Sequence, residues 1–178
     1  MKTLKFISLL VFPLALLAGQ TSYGQRPTTQ AVPKDTSFNT FLQTLEQANI
    51  NFINGNPVLW KQLCAQSDEA TILGGFGGYE KGWKEVDSRY DWASSRFKAS
   101  GAKKRFEYVG KIVSGNLAYT VTIERSEYLL INQEKPTVEA LRVTQIYRKE
   151  ASGWKLLHRH ADPFLEKKSP NTTSQPKN

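Results

Sequence analysis

The sequence predicts an α+β domain in which helices come first and an antiparallel run of strands follows. Two observations carry that prediction. Apolar residues recur at helical spacing up to about Phe97, and the period changes from 3.6 to 2 after Gly101. The strand-like segments are separated by short turns at Ser114-Gly115-Asn116, Asn132 to Pro136 and Ala151-Ser152-Gly153. Helices followed by such a meander are expected to pack on one face of a curved sheet.

The elements follow in chain order. Met1 to Gly24 hold two lysines, an apolar run from Phe6 to Gly19, and small residues Ser22 and Gly24 at the −3 and −1 positions, the three regions of a cleavable signal peptide. The run contains Pro13 and falls short of the ~20 residues a bilayer core requires, so a membrane anchor fits it less well. The expectation is an exported protein, periplasmic or secreted, that begins at Gln25 and has no membrane partner after cleavage. Residues 25–36 are polar and proline-bearing and read as a flexible leader; residues 166–178 read as a disordered polar tail. Residues 37–165 remain as the domain, a length that buries a real core without disulfide support.

Ser37 can cap a helix that places Phe38, Phe41, Leu42, Leu45, Ala48 and Phe52 on one stripe and ends near Gly55. Pro57 opens a second, short helix with Leu59, Trp60 and Leu63. A short strand at Ala70 to Leu73 leads into the link Gly74-Gly75-Phe76-Gly77-Gly78. A third helix is expected from about Lys81 to Phe97, with Trp83, Val86, Tyr90, Ala93 and Phe97 facing the sheet. Strands are expected at Phe106 to Val113, Leu117 to Ile131, Val138 to Arg148 and Trp154 to Asp162.

Composition narrows the functional classes. Part of the formal charge of +8 lies in the tail lysines and part in Lys98, Lys103, Lys104 and Arg105, with no aromatics interleaved for base stacking, so no nucleic-acid partner is expected. The lone cysteine, Cys64, lies among Trp60, Leu63 and Ala65 and reads as a buried small hydrophobe. The glycine link is neither a Walker loop nor a dinucleotide loop, since Trp83-Lys84 follow Gly82 and Glu80 stands at the third glycine position. No cofactor is expected. A tight turn at a pocket rim accounts for the glycines.

The last strand is chemically the richest. Alternation puts Trp154, Leu156, His158, His160 and Asp162 on one face and Lys155, Leu157 and Arg159 on the other. His158 and His160 are the two histidines of the chain, and three uses are open to them: proton transfer, metal ligation, or hydrogen bonding at a sheet end. Metal is the weakest of the three, because Asp162 is the nearest further ligand and no dense cluster supports it. No metal site is expected. Of the pair, His158 is expected to be the more desolvated. Arg125 and Glu127 share one face of the long strand and Glu124 and Ser126 the other; Arg142 shares a face of the next strand with Thr144. Tyr79, Glu80, Trp83, Tyr90 and Trp92, on or beside the third helix, complete a candidate pocket set with Arg125, Arg142 and Asp162.

Two segments carry a resemblance: Gly77-Gly78-Tyr79-Glu80-Lys81-Gly82-Trp83, and Leu141-Arg142-Val143-Thr144 through Gly153-Trp154-Lys155-Leu156-Leu157-His158-Arg159-His160-Ala161-Asp162. With the order of elements from Phe38 to Phe164, they resemble the SnoaL-like branch of the nuclear transport factor 2-like superfamily, which also includes ketosteroid isomerase. The resemblance implies a cone, a curved, largely antiparallel sheet wrapped around the N-terminal helices. It also implies an apolar pocket between the two, and a homodimer formed through the outer sheet face. Members act as isomerases, cyclases, dehydratases or plain binding modules, so the fold alone does not assign an activity. The isomerase arrangement of an Asp base facing a Tyr and a protonated Asp is not visible in this chain. The expectation is a pocket for a small, mostly apolar molecule, with acid–base chemistry at His158 or His160; the alternative is a non-catalytic association module.

Overall fold

The computed structural model describes residues 36–165. The expected signal segment 1–24, the leader up to residue 35 and the tail 166–178 lie outside the described residues.

Helix α1, Thr36–Phe52, buries Phe38, Phe41, Leu42, Leu45 and Ala48, the expected stripe. It stops in a Schellman motif: the Asn56 N–H reaches the Asn51 carbonyl (3.0 Å), the Gly55 N–H reaches Phe52 (3.0 Å), and Gly55 sits at φ 86°. A side chain at Gly55 would also press on the Phe97 carbonyl at 3.1 Å. After Pro57 comes α2, Val58–Leu63, whose Trp60 is buried. Strand β1, Thr71–Leu73, precedes the glycine link. A two-residue strand, β2, Glu80–Lys81, follows, and Gly82 leads into α3, Trp83–Ser94. Four strands complete the fold: β3 Phe97–Ser114, β4 Leu117–Leu130, β5 Thr137–Glu150 and β6 Gly153–Pro163.

The sheet has the order β2-β1-β6-β5-β4-β3, with β1 parallel to β6 and every other pair antiparallel. It is the expected curved, mixed α+β sheet, with helices on its concave side. Alternation along β4 sorts the two faces: Ala118, Thr120, Thr122, Glu124, Ser126 and Tyr128 point inward and are buried, while Tyr119, Arg125 and Glu127 face outward and are exposed. Phe38 of α1 packs edge-on against Tyr147 of β5 at 5.1 Å and beside Trp154 of β6 at 4.9 Å, and the Trp154 indole donates to the Ser37 hydroxyl. A polar stripe on α1 ties the helix to β3: Asn39 accepts from Lys111 (2.8 Å), Glu46 from Tyr108 (2.6 Å) and Asn49 from Lys104 (3.0 Å).

Two expectations about elements are corrected. The third helix ends at Ser94, and Phe97 opens β3 opposite Leu130. Phe97 does continue the spacing of Val86, Tyr90 and Ala93, but the chain has already turned through an Arg96-to-Ala93 hydrogen bond. Strand β3 therefore starts nine residues before Phe106. Its register breaks between Lys98 and Lys103, around Gly101 at φ 71°, and this break hides the period of two. The second correction concerns β6. The ladder slips between Ile146 and Tyr147, pairing Ile146 with His158 and Tyr147 with Leu156, so Leu157 is an extra, bulged residue. Trp154 and Leu156 point inward before the bulge, and Arg159 and Ala161 do so after it.

Candidate functional site

The C-terminal half of α1, α2, the glycine link and α3 close over one end of the concave face and enclose a cavity of about 90 Å³. Its walls are aromatic. Phe52 packs against Trp60 (6.0 Å) and Tyr90 (5.8 Å), and Trp60 meets Tyr90 edge-on at 5.9 Å. On the far side Phe97 stands perpendicular to Tyr128 at 5.0 Å and contacts Phe76 of the glycine link at 5.8 Å. Ring pairs at these distances hold one another rigidly, so the cavity is pre-formed rather than collapsed.

The floor is polar and charged. Glu124, 1% exposed, takes both terminal nitrogens of Arg159 at 2.7 and 2.8 Å, and Lys104 Nζ lies 2.6 Å from its second oxygen. Each of the three comes from a different strand, β4, β6 and β3, on inward positions brought together by sheet curvature. Burial alone would raise the Glu124 carboxyl pKa; the Arg159 and Lys104 charges and hydrogen bonds overcome that and hold it far below the ordinary range. Burial lowers the Lys104 ammonium, and Glu124 opposes this only in part. Burial also opposes the Arg159 charge, but Glu124 keeps its pKa above the usual value. Lys104 and Arg159 line the cavity, with Ser126 and Glu139 beside them, while Glu124 sits behind. Burial first, and Glu139 second, raise the Tyr128 phenol, whose hydroxyl donates to Glu139 at 3.1 Å; burial raises Tyr90 as well. Both phenols are neutral hydrogen-bond donors at physiological pH.

At the mouth, Arg89 of α3 lies 3.4 Å from Glu80, donates to the Gly77 carbonyl at 2.7 Å and stacks over Trp92 at 4.2 Å. Gly77 and Gly78 hold φ angles of 83° and 75°, which turn the link across the rim, as the sequence suggested. Gly75 meets Leu141 so closely (3.3 Å to an added Cβ) that a larger residue there would crowd the wall.

Of the candidate pocket residues, Tyr90 lines the cavity; Glu80 and Trp92 stand behind it through Arg89 and Phe76. Trp83 is partly buried against the main core rather than at the cavity, and Tyr79 is 78% exposed. The remaining five lie on the convex face and are corrected here. Arg142 and Asp162 pair there at 3.0 and 2.9 Å, and Arg125 covers Phe164. His158 and His160 keep their shared face, but the Leu157 bulge turns that face outward: His158 bonds Thr71 Oγ1 at 2.8 Å and His160 is exposed. Burial, then the neighbouring charge of His160, lowers the His158 pKa. Cys64 is buried, and burial pushes its thiol up to about 12, which leaves it inert as a nucleophile. Among the described residues no group of three or more His, Cys, Asp or Glu side chains converges as a metal site would require.

Sequence reasoning missed Glu124, Lys104, Arg159 and Arg89 as site residues. A signal existed for Glu124, which alternates with Thr120, Thr122 and Ser126 on the less charged face of β4, opposite Arg125 and Glu127. For Arg159, the doublet Leu156-Leu157 inside an alternating strand marked the place where the phase changes.

No protein-family model matches the chain, and no curated protein matches it either. Solved structures do. A nuclear transport factor 2-like superfamily protein from Salmonella enterica superposes with a TM-score of 0.60 at 20% identity, covering 75% of this chain and 98% of the other. A ketosteroid isomerase, so described provisionally, from Shewanella frigidimarina gives 0.54 at 18% identity over 71% and 95%. The calcium/calmodulin-dependent kinase II hub of S. rosetta gives 0.56 at 16% identity over 76% and 100%. At these identities the likeness concerns the fold, and with the topology above it is decisive: this chain has the nuclear transport factor 2-like, ketosteroid isomerase-like fold.

Proposed function

We propose that the domain binds a small, mostly apolar molecule in the cavity under α3 and the glycine link. The observation that carries this reading is a pre-formed cavity with aromatic walls and a few fixed polar groups at one end, the usual build of a small-molecule site. With both histidines on the other face of the sheet, the reading rests on binding and routes no proton transfer through them. The signal-like sequence of residues 1–24 supports a role outside the cytoplasm.

A neutral one-ring probe tests the cavity. Benzyl alcohol added to the protein is expected to shift the ring signals of Phe97, Tyr90 and Tyr128 in NMR spectra and to leave those of Tyr119 in place. Ala93→Phe, which fills the cavity from α3, should abolish the shifts at a stability cost of about 1–3 kcal/mol. Unmoved ring signals in the wild-type protein would remove the cavity as a ligand site.

A second reading, self-association, is supported by a different observation. The outer sheet face carries exposed Ile112, Tyr119 and Ile146 side by side, and one of the fold relatives is itself a hub domain. The occupant proposed for that face is a second copy of this chain, and this reading is compatible with the first because the cavity opens on the other side of the sheet.

A further inference from the structure

The charged floor of the cavity identifies the chemical class of its ligand. Lys104 and Arg159 are both buried, with side-chain exposures of 4% and 9%, and both lean on the single carboxylate of Glu124. In direct contact the two buried cations share one carboxylate, and a buried charge is costly unless its donors are met. A second carboxylate, Glu139, stands on the same cavity wall, where it accepts from Tyr128 at 3.1 Å. Arg159 places two of its five N–H donors on Glu124. Lys104 places two of its three on Glu124 and Asn49. Both residues line the cavity, so the remaining donors belong to a cationic, donor-rich end facing aromatic walls, with a third cation, Arg89, at the mouth.

We propose that the cavity selects a compact monocarboxylate, its carboxylate seated on Lys104 and Arg159 and its flat apolar body held between Phe52, Tyr90 and Phe97. The inference rests on the cavity being a ligand site, as above. Size follows from volume. About 90 Å³ is smaller than the roughly 150 Å³ of an engineered cavity that takes up benzene, so the body is one ring or a short chain, not a fused polycycle. Carboxylate is favoured over phosphate because Glu124 already places one full negative charge beside the seat. With Glu139 also on the wall, a singly charged ligand meets less repulsion there than a dianion would.

The probes are benzoate and benzyl alcohol, which share the ring and differ in charge, titrated into the protein by calorimetry at moderate salt. Benzoate is expected to bind about tenfold or more tighter, the usual gain from hydrogen bonds to a charged group. Lys104→Met keeps the Arg159–Glu124 pair and is expected to remove about tenfold of benzoate affinity while leaving benzyl alcohol within about twofold. The wild-type comparison needs no variant, so a misfolded Lys104→Met would not shelter the proposal. Equal affinity for the two probes would overturn the carboxylate assignment and leave the cavity reading standing. Binding of neither would overturn both. A benzoate preference untouched by Lys104→Met would overturn the seat assigned to the carboxylate.

Discussion

Glu124 shows how much one side chain can organise. It lies mid-strand on β4 with neighbours Thr122 and Ser126 on the same buried face, and it joins three strands by holding Arg159 and Lys104. Glu124→Gln preserves shape and removes the charge, leaving two buried cations without a counter-carboxylate. Breaking a buried pair from one side costs about 3–5 kcal/mol, and urea unfolding at pH 7 should read a loss of that size. The pH dependence has a definite sign. The folded pKa of Glu124 lies below its ordinary 4.5, so its contribution is complete above that value and declines as pH falls below it. The stability gap between wild type and Glu124→Gln should therefore be constant from pH 7 to about 5 and should narrow in more acid solution. A gap that does not narrow would mean that the carboxylate is not held ionised by its partners. The sequence set Glu124 and Ser126 on the face of β4 opposite Arg125 and Glu127, because β4 alternates without interruption, but did not say which face is inward. It did not disclose the partners, since curvature and register, rather than local pattern, bring Lys104 and Arg159 to it.

At the scale of elements, the decisive device is the bulge at Leu157. It adds one residue to β6 opposite an unbroken β5, so the expected face assignment holds at Trp154 and Leu156 and reverses from His158 onward. Without Leu157 the strand would alternate cleanly, with Arg159 inward and both histidines outward. Deleting Leu157 should thus keep the Arg159–Glu124 pair, while inserting Ala between His158 and Arg159 should drive Arg159 to the convex face. Thermal unfolding should show the insertion as much the more damaging change, since it strands Glu124 with Lys104 alone. Equal damage from both would mean that the phase after the bulge does not matter. The same kind of irregularity explains what was and was not legible in the sequence. α1, α3, β4 and β5 could be read because each keeps one period over ten residues or more, and β6 could be located although its phase changes at Leu157. The first half of β3 could not, because its register breaks between Lys98 and Lys103. β2 is two residues long and too short to carry a period. Of the candidate site, Tyr90 was legible from a helix phase, whereas the residues proposed from β6 inherited a phase that the bulge overturns.

At the scale of the whole molecule, the two faces of the sheet divide the work proposed for it. The concave face holds the cavity, and the convex face presents rows that run straight across the strands. One row aligns Ile112, Tyr119, Ile146 and His158 on β3, β4, β5 and β6. The next runs from Gly110 through Val121 and Thr144 to His160, and a third from Glu107 through Ile123 to the Arg142–Asp162 pair. The first row is thus apolar across three strands, with Arg148 and Lys155 in the row on one side of it and the Arg142–Asp162 pair further along on the other. In that first row Ile112, Tyr119 and Ile146 are 52%, 39% and 38% exposed, an apolar surface that a monomer would leave against water. A second copy laid on this face by a two-fold axis would bury each row against its mate, since such an interface is self-complementary. Tyr119 is central to the row, so Tyr119→Glu should place a charge in the middle of the buried patch and weaken dimerisation by about thirtyfold or more, as loss of a hot-spot aromatic does. Sedimentation velocity over a range of concentrations measures this directly. The cavity lies on the opposite side of the sheet, so benzyl alcohol should still shift the rings of Tyr90 and Phe97 in the dissociated variant. A wild-type chain that stays monomeric at every concentration, or a variant that dimerises as well as wild type, would exclude this face as the interface.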